Sequence, residues 1–152
     1  MENIKELYEG IKKKYKLPEM EELQRTFGIG KIEEEPILAE IIKKIDDKVE
    51  LFVKTIYRLM QPDTFISDMH ESGAFTEAEK KSMFDLYKKL MMVHDNALIL
   101  EIDQDEKAEA AFIRDMHMKW KDLRKEMVSI VTKMRDSWKK DVDLKEDIGY
   151  LG

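Results

Sequence analysis

The chain has 152 residues, enough for one domain whose core needs no cross-links. Hydrophobic residues make up 43% and charged residues 39%, with only 6 Gly and 3 Pro, a profile that fits a helix-rich domain. The absence of Cys excludes disulfides, thiol nucleophiles and Cys-type zinc sites, and a net charge of -6 weighs against nucleic acid or an anionic membrane as the main partner. No run approaches ~20 apolar residues, and "MENIKELYEG" carries no leader-like apolar stretch, so the expected location is the cytoplasm.

At the N-terminus, Ile4, Leu7, Tyr8, Ile11 and Tyr15 recur at helical spacing. Pro18 opens a second short helix in which Met20, Leu23 and Phe27 share a face, and Gly28 and Gly30 end it. Pro36 starts a long helix that Pro62 must stop near Gln61. Its apolar residues, from Leu38 through Ile45 and Val49 to Leu59, form one continuous stripe. Residues 62–75 read as a loop, long for a compact bundle. Thr76 with Glu79 spells a capping box, predicting a helix to about Ile102. "DQDE" breaks it, and a last long helix covers roughly 105–140, with 141–152 a loosely held tail. Nothing reads as a strand. The expectation is one all-α domain over 1–152: an antiparallel helical bundle of three long helices, with two short N-terminal helices within residues 1–30 laid across them.

Three histidines stand beside or near aspartates: "DMH" occurs at 68–70 and again at 115–117, and "HD" at 94–95. His70 lies six residues before Thr76, and His94 lies about 27 Å of helix beyond that cap, too far for a shared metal site. If the last two helices pack as a tight hairpin, residues whose numbers sum to about 209 are neighbours, which puts His94 near Asp115. His94 then faces other helices as a bonded, partly buried side chain, or else serves as a ligand or proton-transfer group. His117 falls at the boundary of its helix or outside it.

Two acids break their apolar stripes. Glu101 and Glu109 come to one level under the same matching, near Asp103, Asp105, Glu106 and "IEEEP". Converging carboxylates are how bundles hold hard divalent ions, so this pair is the candidate metal site of a metal-dependent enzyme acting on a phosphorylated small molecule. Acids at helix starts also answer the helix dipole. Glu40, Asp46, Asp47 and Glu50 point away from the third helix's stripe, which removes half of such a site. No cofactor is predicted beyond that possible divalent metal.

On the last helix, Arg114, Lys121, Arg124, Lys125, Arg135 and Lys139 fall on one flank and the acids on the other. This basic ridge is a candidate for phosphate or nucleic-acid binding; the plainer reading is a solvated face, and nucleic acid is not expected. Further along, Ile130, Met134 and Trp138 continue the apolar stripe past the reach of the preceding helix. Such a stripe needs cover, either from the N-terminal helices or from a second copy, and self-association is the expectation. The leading functional expectation is a non-catalytic interaction or assembly module with a protein partner or a second copy of itself.

Overall fold

A computed structural model of the protein describes residues 3–62 and 65–149, with side chains through Lys139. Helix α1 (Ile4–Tyr15) begins at Asn3, whose side chain accepts from the Lys5 amide, and ends at Lys16 in the left-handed region at φ 56°. Helix α2 (Met20–Phe27) ends at Gly28, where φ of 63° suits a residue without a Cβ. Tyr8 pins the two together, its buried hydroxyl donating to the Pro18 carbonyl at 2.6 Å.

Helix α3 (Ile37–Met60) is the central element, with Ile41, Ile45, Val49 and Ile56 wholly buried. Each such side chain contributes roughly 1.5–3 kcal/mol through removal from water. Helix α5 (Glu77–Asp103) packs along α3 in antiparallel sense, placing Tyr57 beside Tyr87 and Glu50 beside His94. The capping box at its start is formed in both directions between Thr76 and Glu79. Gln104, left-handed at φ 56°, turns the chain into helix α6 (Glu106–Gly149), whose start is capped by the Asp105 carboxylate. The N-terminal helices lie on α6. Trp120 of α6 stands at their junction with α3, stacked on Phe52 at 5.5 Å and edge-on to Phe27 at 5.1 Å.

The segment read as a loop contains helix α4 (Ile66–Gly73), packed against α3 and α6. Eight residues rich in Ser, Asp, His and Gly show little periodicity, so tertiary anchors hold this helix more than propensity does. Ser72 donates to the Leu59 carbonyl at 2.6 Å, closing the end of α3, and Trp138 Nε1 donates to Glu71 at 2.9 Å. Among the described residues the bundle therefore has three long and three short helices. Helix α6 also runs beyond 140 as far as Gly149; residues 150–152 of the expected tail lie outside the described residues.

Helices α5 and α6 meet far less than either meets α3. A groove of about 550 Å³ lies between the two arms near Met83, Leu86 and Ile130, and Lys133 of α6 pairs with Glu79 of α5 beside it. Levels across the α5–α6 pair match at Glu79 and Lys133, whereas His94 pairs with Asp46 of α3 and not with Asp115.

Candidate interaction surface

Helix α5 is the edge helix of the bundle, bedded on α3 through Met83, Leu86, Leu90 and Ala97. About a quarter-turn away a second series follows: Phe84, Tyr87, Met91, His94, Leu98 and Ile102. Spacings of three and four residues keep these on one side of a helix, as in a coiled-coil seam. Phe84 is 44% exposed, Leu98 49% and Ile102 76%. Val53 and Tyr57 of α3 extend the patch sideways, with an apolar groove of about 460 Å³ between the two helices. Contiguous apolar surface of this kind marks interaction sites more often than isolated exposed residues do.

His94 sits in that seam and ties α5 to α3. Its Nδ1 lies 2.9 Å and 3.1 Å from the two oxygens of Asp46, so Nδ1–H donates to the carboxylate. The hydrogen bond to Asp46 raises the imidazole's affinity for its proton above the usual histidine value, against a smaller opposing effect of burial. Burial pushes the Asp46 carboxyl up as well, more than the His94 contact pulls it down. The groove lining contains no Ser, Thr or Cys, so no aliphatic hydroxyl or thiol of the kind that a His–Asp pair activates stands beside it. The pair is suited to holding a charge at a fixed place between two helices.

Asp46 is therefore half-buried beside α5, although its position on the sequence stripe points it outward, and Asp115 lies 3.0 Å from Lys119 instead of near His94. Both departures follow from α3 lying between the arms of the hairpin. His70 of α4 packs on Trp138 of α6 at 4.2 Å between ring centroids, and His117 of α6 faces Glu22 of α2 at 3.4 Å. Each histidine belongs to a different helix pair.

The two proposed carboxylate ligands differ in burial. Glu109 is buried on α6, its carboxyl pushed up first by burial and then by Glu106 and Asp105, whereas Glu101 is exposed on α5. Among the described residues no group of three or more His, Asp or Glu side chains is placed to hold a metal ion. Of the basic ridge, Arg114 donates to the Tyr15 carbonyl at 2.7 Å and so closes the end of α1. Arg135 and Lys139 share Asp136, at 3.1 Å and 3.5 Å, although that acid belongs to the flank assigned to the acids. Lys121, Arg124 and Lys125 are exposed.

The stripe at the end of α6 is partly covered within the chain. Met134 is buried, Ile130 is half-buried, and Trp138 is held by Glu71 and His70 of α4. Helix α4, which the sequence pattern does not announce, supplies this cover, and Trp138 remains 37% exposed. The seam on α5 was legible in the 3–4 spacing of residues 84–98, but the stronger stripe through Leu86 and Leu90 masks it.

No family model, curated protein or solved structure matches this chain. Among the described residues no helix is long and apolar enough to cross a membrane.

Proposed function

We propose that this protein is a helical interaction module without catalytic activity, and that its working surface is the outer face of α5 with the adjoining flank of α3. The observation that carries this reading is the second apolar seam on α5, where Phe84, Leu98 and Ile102 lie in solvent at helical spacing beside the apolar groove shared with α3. A rigid two-helix face with an apolar centre and charged borders is the form in which bundles receive another helix. The His94–Asp46 pair fixes the spacing of the two helices at the middle of that face.

Hydroxyl-radical footprinting of the protein, dilute and purified and again at its native level in cell extract, tests the reading. Tyr57, Tyr87 and Met91 are expected to be labelled in the dilute sample and protected in extract, while Met118 on α6, 80% exposed, is labelled equally in both. Equal labelling of the α3/α5 face in both samples would refute an interaction role for it.

A further inference from the structure

We propose that the occupant of the α3/α5 face is a second copy of this chain, docked antiparallel about a two-fold axis crossing α5 between Met91 and His94. The proposal rests on the interaction reading above and names its partner.

The argument comes from the distribution of charge along the seam. Helix α5 carries Lys80, Lys81, Lys88 and Lys89 against Glu77, Glu79 and Asp85 in its first half; from Leu90 to Asp103 it carries Asp95, Glu101 and Asp103 and no Lys or Arg. Helix α3 runs the other way and reinforces this polarity. Its Lys54 and Arg58 line the groove near Tyr87, while Glu50 and Asp46 lie toward His94. The face thus carries a net positive charge at one end and a net negative charge at the other. A parallel copy would set like charges together, at a cost of several kcal/mol in general for such juxtapositions. Turning the copy by a two-fold rotation sets each basic end on an acidic one, and a two-fold interface requires that self-complementarity.

The apolar positions obey the same symmetry. With the axis between Met91 and His94, Met91 meets His94 of the second copy, Tyr87 meets Leu98, and Phe84 meets Ile102. On the shoulder of the seam Lys88 comes opposite Asp95 of the second copy, twice by symmetry. Both side chains are exposed in the monomer, where Lys88 has a neighbour in Asp85 at 3.4 Å on its own helix. Because α3 lies beside α5 in each copy, the rotation places four helices side by side and fills both apolar grooves.

Sedimentation velocity on the full chain and three variants tests the arrangement. The wild type is expected to sediment as a dimer at about 100 μM, and Lys88→Glu and Asp95→Lys each to weaken association by about tenfold or more. The double variant Lys88→Glu with Asp95→Lys restores opposite charges across the axis and should dimerise like wild type. Circular dichroism of each variant establishes that the helices are intact. A monomeric wild type, unweakened single variants, or a double variant weaker than both singles would overturn the proposal. A monomeric wild type whose α3/α5 face is nevertheless protected in extract would overturn the second copy alone and leave the interaction reading standing.

Discussion

His94 and Asp46 join two helices through a bond whose strength depends on protonation, and the sign of that dependence follows from their environments. His94 holds its proton more tightly in the folded chain than in the unfolded one, so its contribution to stability is complete below the unfolded value and is lost as pH rises through the folded value. Asp46, also raised, adds a loss of the same sign in the acid range above its unfolded value. Urea unfolding between pH 6 and 8 (roughly spanning the histidine range) should show stability falling with pH, and Asp46→Asn should flatten that fall. NMR titration of the His94 ring should give a midpoint above the ordinary histidine value that drops in Asp46→Asn; an unchanged midpoint would remove Asp46 as the cause. Trp120 is the other residue on which much depends, being 3% exposed between Phe27 and Phe52. Trp120→Ala should cost about 3–5 kcal/mol in urea unfolding, because α2 and α3 lose their common packing partner on α6. A loss below about 1 kcal/mol would mean that the junction can collapse around the void.

Among the elements, α4 is the one whose existence depends most on others. Its eight residues cannot sustain a helix alone, and Trp138, Ser72 and His70 attach it to α6 and α3. Trp138→Ala should therefore speed amide exchange across 66–73 while α3 and α5 exchange as before. Uniform acceleration through the whole chain would show that α4 is part of the global folding unit instead. Helix α5 is the opposite case. Its capping box can be read from "TEAE", and Thr76→Ala should cost about 1 kcal/mol in the same unfolding assay. The contrast explains what was legible beforehand. Pro36, Pro62, Thr76 and the stripe of α3 act locally, and they announce three long helices through residue type and period. Helix α4 is specified by partners 13 and 67 residues away, Leu59 and Trp138, which no local pattern reveals. The same limit governs the site. Glu101 and Glu109 stand either side of the turn at Gln104, and that one is exposed and the other buried is a property of packing.

At the scale of the molecule, one central helix, α3, has its neighbours on the sides facing α5, α6 and α4, and one edge helix keeps a seam of its own in solvent. Charge grades from basic to acidic along that edge, so the monomer presents a surface complementary to itself only in an antiparallel copy. The most direct measurement is the distance between spin labels placed one per chain. With no Cys in the sequence, Met92→Cys and Lys121→Cys each give a single labelled site. Met92 lies beside the expected two-fold axis on the shoulder of α5, and Lys121 is on α6, away from it. Double electron–electron resonance should return one narrow distance for position 92, shorter than that for position 121, with both signals reduced in amplitude by Lys88→Glu. No dipolar signal from either position, or a shorter distance at 121 than at 92, would contradict the account.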